Sequence, residues 1–462
     1  MHMTPEEFRH NGYAIIDWIA DYMEHVEEQP VLSTVAPGEI AAKLPDRAPE
    51  TSDGFAAMVE DLDHVVAPGI THWQSPNWFA YFPANASGPS ILGDLAASGL
   101  GVQGMLWSTS PAATEIEARV LDWLVDLMGL PQGWKSTGSG GGVIQMSASD
   151  STHAMLAVAR HRRRGDAPAE RMVVYASNQA HSSVEKGCTI AGIGCFRAVD
   201  IDEDFAMNPD VLQSLIARDR SEGLLPIAVV STIGTTATTA VDPIGAVADV
   251  VEEHGMWHHV DAAYAGTAML CEEFRRHQPG LDRVDSYTFN PHKWMMVNFD
   301  CNVLWVADRG PLIDMMSILP PYLGDAASDA GDVIDYRDWH LPLGRRFRSL
   351  KLWWVLRYYG ANGLRAMVRD HVRLADEFAG WIDQDDRFEL VAPHPFGLVC
   401  FTHREGNDAT RRLARDLNAT GRVAVTASHI GDTWFIRVSI GQTHTDERHV
   451  EALWELIDEL GS

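Results

Sequence analysis

The chain has 462 residues, 46% hydrophobic and 22% charged, a globular composition with enough apolar material for a sizeable core in roughly three domains. Its 36 basic residues against 64 acidic ones leave a formal net charge of -28, which argues against a nucleic-acid or anionic-membrane partner. No apolar run is long enough for a membrane span, and the polar start MHMTPEEFRH does not read as a signal peptide. Five scattered cysteines without a CxxC pair fit a reducing compartment, so a cytoplasmic location is expected.

Thr4-Pro5-Glu6-Glu7 reads as a helix start, with Thr4 as N-cap, Pro5 in the first turn and Glu7 closing a capping box. Ile15, Trp18, Ile19, Tyr22, Met23 and Val26 then form a helical stripe. Pro-rich loops follow, and a second helical segment covers 54–66. Residues 1–87 are too thin to hold a core of their own, so they are expected to pack on something else, such as a second subunit. From residue 88 the texture changes: RMVVYAS, PIAVVST, MWHHVD, SYTFN and NVLWVAD are short apolar runs alternating with helical patterns. That alternation predicts an α/β domain with a mostly parallel sheet over 88–360. A helix near 361–383, the strands FELVA, GLVCFTH, RVAVTA and WFIRVSI, and a closing amphipathic helix read as a small α+β domain over 361–462. The Ala-, Asp- and Gly-rich stretch 324–333 reads as a mobile loop.

In open parallel sheets ligands bind beyond the carboxyl ends of the strands, so those ends are inspected first. The glycines 138 and 140–142 precede Ser147-Ala148-Ser149 and then a helix. Small residues ahead of a helix N-terminus suit a phosphate, although the stretch alone reads equally as a flexible loop. Past the following strands come His181, Thr235 and Thr236, Asp261, and finally His292 and Lys293. His259 and Asp261 share a strand face, but no third ligand is apparent and no metal is expected. Only five lysines exist, and Lys293 alone follows a strand, just after Pro291. A phosphate cradle, a carboxylate and a lysine on one sheet edge are what pyridoxal 5'-phosphate needs: donors for its phosphate, a lysine for its aldehyde and an acid partner for its ring nitrogen. At an effective dielectric of 20 that last pairing is worth about 4 kcal/mol at contact.

The sequence resembles the aromatic L-amino acid decarboxylases, group II pyridoxal-phosphate enzymes of fold type I. NPHKW at 290–294 is similar to the family's cofactor-lysine motif, HVDAAYAG at 259–266 to its pyridine-binding motif, HSSVEKG at 181–187 to its ring-stacking histidine segment and GGGVIQMSAS at 140–149 to its phosphate loop. HWQSPNWFAYFP at 72–83, SPAATEIE at 110–117 and DYRDWHLPLGRRFRSLKLWW at 335–354 extend the likeness along nearly the whole chain.

The resemblance implies roles. Lys293 would carry the cofactor, Asp261 would pair with its ring nitrogen and His181 would stack on the ring above Ala263. Ser147, Ala148, Ser149, Asn290 and His292 would hold or brace the phosphate, with Thr236 beside the cofactor. Tyr336 would reach in on a mobile loop from the neighbouring subunit of a homodimer and assist protonation of the substrate carbon. Trp73, Tyr81 and Phe82 would wall the substrate pocket, and Gln103 and Met105 would face the substrate ring across the dimer. Gly344 matches relatives that take indolic substrates. The activity implied is decarboxylation of tryptophan, phenylalanine, tyrosine or DOPA to an arylalkylamine and carbon dioxide. Rival readings are an aldehyde synthase, which adds oxidative deamination, a decarboxylase of a non-aromatic amino acid, and a catalytically dead interaction protein. HRRR at 161–164 reads as a helix C-terminus, RRFRSLK at 345–351 as a helix start with internal ion pairs, and Trp353 and Trp354 as core.

Overall fold

A computed structural model describes residues 2–317 and 333–461. The loop expected at 324–333 lies outside the described residues except for Val333. A seven-stranded sheet forms the centre: β1 Gly141–Gln145, β2 Met172–Ser177, β3 Cys195–Val199, β4 Leu225–Thr232, β5 Trp257–Asp261, β6 Ser286–Phe289 and β7 Asn302–Val306. Their spatial order is β1-β7-β6-β5-β4-β2-β3. Only β7 runs against its neighbours, antiparallel to both β1 and β6. Helices cover both faces of the sheet, so its strands are mostly apolar and every residue of β1, β2, β5, β6 and β7 is buried. The glycine-rich stretch is therefore an edge strand rather than a flexible loop.

A second sheet of β8 Phe388–Leu390, β9 Leu398–His403, β10 Thr426–Ile430 and β11 Thr433–Ser439 is antiparallel in the order β10-β11-β9-β8. The expected strand RVAVTA is mostly not part of it. Ala424 instead pairs with the N-terminal segment, accepting from Phe79 N (2.9 Å) and donating to Asn77 O (3.2 Å). Residues 77–79 thereby complete one edge of the small sheet and carry Tyr81 and Phe82 toward the large one. The helix Arg348–Gln384 joins the two sheets and is interrupted at Gly360, whose φ of 65° and ψ of 169° are not helical.

The N-terminal helix Pro5–His25 forms as its capping box demands: Thr4 Oγ1 accepts from Glu7 N, and Glu7 accepts from Thr4 N at 2.7 Å. None of its side chains is buried, and Phe8 and Tyr13 are 62% and 61% exposed. HRRR closes the helix Ala148–Arg162, and Arg345, Arg346 and Arg348 all reach carboxylates, as read. Trp353 and Trp354 are only partly buried, which corrects their reading as core.

Candidate active site

At the carboxyl edge of β4, β5 and β6 lies a cavity of about 190 Å³. Each wall follows from a strand ending there. Past β1, Ser147 caps the helix Ala148–Arg162, its hydroxyl accepting from Asp150 N (3.2 Å), so the first amides of that helix face the cavity rim with Ser147, Ala148 and Ser149. Anions are stabilised at such a terminus. Past β4, the chain turns at Gly234, where φ is 85° and an added Cβ would sit 2.8 Å from Ala265 Cβ, so only glycine fits between Thr232 and Thr236. Thr232 lines the cavity, and its buried hydroxyl has no partner among the described residues. An unsatisfied buried donor aimed at an otherwise polar cavity fits a ligand that brings acceptors.

At the end of β5, Asp261 is buried and accepts from Ala263 N at 2.9 Å, which fixes its carboxylate. Past β6, Asn290 is held by Asn302 (2.7 Å), and the short turn Pro291–Trp294 presents His292 and Lys293. His292 Nδ1 accepts from Cys301 N (2.9 Å), which leaves the proton of the neutral ring on Nε2. Burial, with the lysine beside it, pushes His292 down to about 3, so it stays neutral. The Lys293 amine is also depressed, by desolvation first, against the pull of Asp261 and with a smaller push from Arg437. His181 stands at the rim, accessible from the cavity but flanked by protein. Its Nδ1 accepts from Ser183 N (3.2 Å), so Nε2 again carries the proton, and desolvation lowers its pKa. His259, by contrast, sits behind the site with Nδ1 beside Ser286 Oγ (2.9 Å) and Nε2 beside Thr152 Oγ1 (3.4 Å). Among the described residues, no three His, Cys, Asp or Glu side chains are placed to hold a metal.

The far wall is aromatic. Phe82 stacks on Tyr264 (3.9 Å, 10°), Tyr264 on Trp294 (4.8 Å, 12°), and Trp294 Nε1 donates to His371 (2.9 Å). Lys293 Nζ lies 5.4 Å from the Phe82 centroid. Tyr81 precedes Phe82 in a left-handed conformation (φ 54°), which costs strain in a non-glycine residue, and its exposed ring stacks near Trp73 (5.8 Å, 21°).

The structure thus gathers Lys293, Asp261, Ala263, His181, Ser147, Ala148, Ser149, Thr236, Asn290, His292 and Phe82 around one cavity. It adds Ser183, Thr232, Gly234 and Tyr264, of which Thr232 ends a strand and Ser183 lies two residues past His181. Tyr336, expected to act from the neighbouring subunit, is not among the residues lining the cavity of its own. Tyr336 is buried at 1% exposure inside its own subunit. The Arg345 guanidinium lies 4.5 Å over its ring, Trp339 meets its edge at 5.8 Å, and its buried hydroxyl has no partner among the described residues. Gln103, Met105 and Gly344 cluster near it, away from the cavity of this subunit. Gln103 Oε1 accepts from Arg345 N (2.9 Å), Met105 O accepts from Arg337 N (2.9 Å), and an added Cβ on Gly344 would stand 3.6 Å from Gln103 Nε2.

A lysine and a carboxylate at adjoining strand ends, with a helix N-terminus across from them on a mostly parallel sheet, make this a fold type I pyridoxal-phosphate enzyme. The chain belongs to the pyridoxal-dependent decarboxylase family, whose conserved domain matches residues 37–404. It is 42% identical to a phenylacetaldehyde synthase of Arabidopsis thaliana, over 100% of this chain and 97% of that protein. It is 41% identical to tryptophan decarboxylase 2 of Oryza sativa subsp. japonica, over 98% and 94% respectively. The crystal structure of Oryza sativa TDC with PLP and tryptamine matches it with a TM-score of 0.97 at 39% identity, covering 100% of this chain and 99% of that one.

Proposed function

We propose that this enzyme decarboxylates aromatic L-amino acids to arylalkylamines and carbon dioxide. The observation that carries the reading is the Lys293–Asp261 cavity backed by the stacked wall Phe82–Tyr264–Trp294. Relatives named for tryptophan and tyrosine decarboxylation support the aromatic substrate class. The cavity suits the cofactor: Ser147, Ser149 and the helix N-terminus for its phosphate, Asp261 for its ring nitrogen, Lys293 for its aldehyde. Bound there, pyridoxal phosphate supplies an electron sink for the pair left behind when carbon dioxide departs.

The protein's own part is positional and protonic. Asp261, fixed by the Ala263 amide, would face the ring nitrogen of the bound cofactor. Burial favours the neutral amine of Lys293, the form able to take up and return a proton. His181 and His292 present neutral Nε2–H donors at the rim and floor. The aromatic wall excludes water from the side where an apolar ring would lie.

We also read the assembly as a homodimer and its compartment as the cytoplasm. The helix Pro5–His25, which buries no side chain and exposes Phe8 and Tyr13, supports a second copy packed on this face. In that dimer Gln103, Met105 and Gly344 would border the neighbour's substrate ring. Five unpaired cysteines support the reducing compartment. A second reading, aldehyde synthesis, is favoured by the 42% identity to a protein of that name. His181 favours the simple decarboxylase.

The Lys293→Ala variant tests the site. It should lose the visible absorbance of bound cofactor and all release of carbon dioxide. A variant that stays yellow and active would overturn the assignment of Lys293.

A further inference from the structure

Because β7 runs against both of its neighbours, its first residue, Asn302, lies at the edge where the other strands end. Asn302 stands opposite Gln145, the last residue of β1, and Val303 opposite Phe289, the last of β6. The Asn302 side chain is fully buried, so its amide must be satisfied within the protein. Its Nδ2 lies 2.9 Å from Phe289 O, a carbonyl that can only accept, which assigns the nitrogen to that side. The same nitrogen reaches Asn290 Oδ1 (2.7 Å) and Thr288 Oγ1 (2.8 Å). On the other side Oδ1 accepts from Ser151 Oγ (2.5 Å), which belongs to the helix Ala148–Arg162.

Both ends of this amide lead to the cavity, although Asn302 does not line it. Ser151 N donates to Ser147 O (3.2 Å), so the bond to Ser151 holds the helix turn that carries Ser147, Ala148 and Ser149. Asn290 is a cavity wall. Its main chain is pinned, N donating to Ala263 O (3.0 Å) and O accepting from Lys293 N (3.0 Å). What is left to choose is which end of its side-chain amide meets a ligand. Oxygen and nitrogen ends have nearly the same shape, but only the nitrogen can donate to an anion. Asn302 makes that choice by occupying Asn290 Oδ1. Asn290 Nδ2 then has no acceptor among the described residues, and its two N–H groups remain for the cavity.

We infer that Asn302 is a positioning residue for the cofactor phosphate. It turns the donor end of Asn290 to the phosphate and, through Ser151, ties Asn290 to the helix N-terminus across from it. The donors on the two sides of the phosphate are thereby held in register with each other and with Lys293. The inference rests on the cofactor assignment above.

Pyridoxal 5'-phosphate and pyridoxal share the aldehyde and the ring and differ in the phosphate alone, so the ratio of their affinities isolates this effect. Their dissociation constants are measured by absorbance titration of the full-length enzyme, freed of cofactor, in the wild type, Asn302→Leu and Ser151→Ala. In Asn302→Leu the affinity for pyridoxal 5'-phosphate should fall by about tenfold or more, the size of a lost charge-assisted hydrogen bond, with pyridoxal within about twofold of wild type. Ser151→Ala removes the tie to the helix and should weaken the phosphate ester by about threefold, again without effect on pyridoxal. Ser151→Ala is the milder change and carries the test alone where Asn302→Leu does not fold. Unchanged affinity for pyridoxal 5'-phosphate in either variant, or equal losses for the two ligands, would overturn the assignment. A wild type that binds the two aldehydes equally well would remove the phosphate subsite and the inference with it. The titration reads binding alone: an enzyme that binds as expected yet releases no carbon dioxide from L-tryptophan would lose the decarboxylase reading and keep this role for Asn302.

Discussion

The buried pair Arg345–Glu117 ties the helix Pro111–Met128 and β1 to the segment ahead of the helix Arg348–Gln384, and its removal should be costly in a characteristic way. Arg345 Nη2 lies 2.6 Å from Glu117 Oε1, with each side chain 3% exposed. Glu117 also accepts from Ile144 N on β1 (2.8 Å), and Arg345 donates to Ile144 O (3.0 Å). Glu117→Gln keeps the shape but leaves the guanidinium uncompensated. Breaking one partner of such a pair costs about 3–5 kcal/mol. With about 2.1 cal/mol/K per residue of unfolding entropy, a chain of 462 residues gives roughly 1 kcal/mol/K. The melting temperature should therefore fall by about 3–5 °C at fixed protomer concentration, read by calorimetry. The double variant Glu117→Gln/Arg345→Gln should melt no lower than the worse single one, because the stranded charge is gone. A Glu117→Gln variant within 1 °C of wild type, or strictly additive losses in the double variant, would refute the reasoning.

Other consequences are as direct. Asp261→Asn keeps an acceptor for the Ala263 amide but removes the charge facing the cofactor ring. The variant should hold cofactor yet lose roughly three powers of ten in kcat, from about 4 kcal/mol of lost pairing; near-normal turnover would refute the role. His258, His292 and His340 are pushed by burial to about 3, and His259 and His371 to about 4. Below pH 6.5 the unfolded chain binds protons that these folded sites refuse, so stability falls on acidification by up to about 1.4 kcal/mol per pH unit for each. Asp242, raised by burial to about 7, keeps a proton when folded and opposes this, and burial raises Asp285 in the same sense. The melting temperature should drop between pH 7.5 and 5.5, and a flat or rising profile would contradict the burial of these rings. An added Cβ on Gly140 would come within 2.1 Å of Val306 O, so Gly140→Ala should loosen the β1–β7 edge and weaken cofactor retention, measured by dialysis. Retention equal to wild type would speak against β1 as the brace of the phosphate subsite.

Strand ends were the most readable part of this sequence. β2, β4, β6 and β7 show as short, mostly apolar runs because both of their faces are largely buried, and at the ends of β4, β5 and β6 Thr232, Asp261 and Asn290 sit at the cavity. That pattern locates Asp261 and Lys293 without any knowledge of topology. The strand β1 was hidden because glycines fill it where Trp305 and Trp339 crowd the edge; added Cβ atoms there would lie 2.7 Å from those rings. Tyr336 and Arg337 are buried, with the Arg337 guanidinium beside Asp335 (3.8 Å) and Asp338 (3.4 Å), a packing that the charged string DYRD does not show. Arg437 gave no signal at all, since one arginine in WFIRVSI looks like an outward residue of an alternating strand. Only the packing of Phe82 and Ala237 against it reveals that its side chain is buried beside Lys293.

The measurement that bears most directly on the whole account is a competition assay. Cofactor-loaded enzyme is given equimolar L-tryptophan, L-phenylalanine, L-tyrosine and L-DOPA in air, with products read by mass spectrometry and peroxide followed alongside. The account expects arylalkylamines in step with carbon dioxide and no peroxide. Aldehydes with stoichiometric peroxide would transfer the chain to aldehyde synthesis, and no carbon dioxide from any of the four would contradict the proposed function outright.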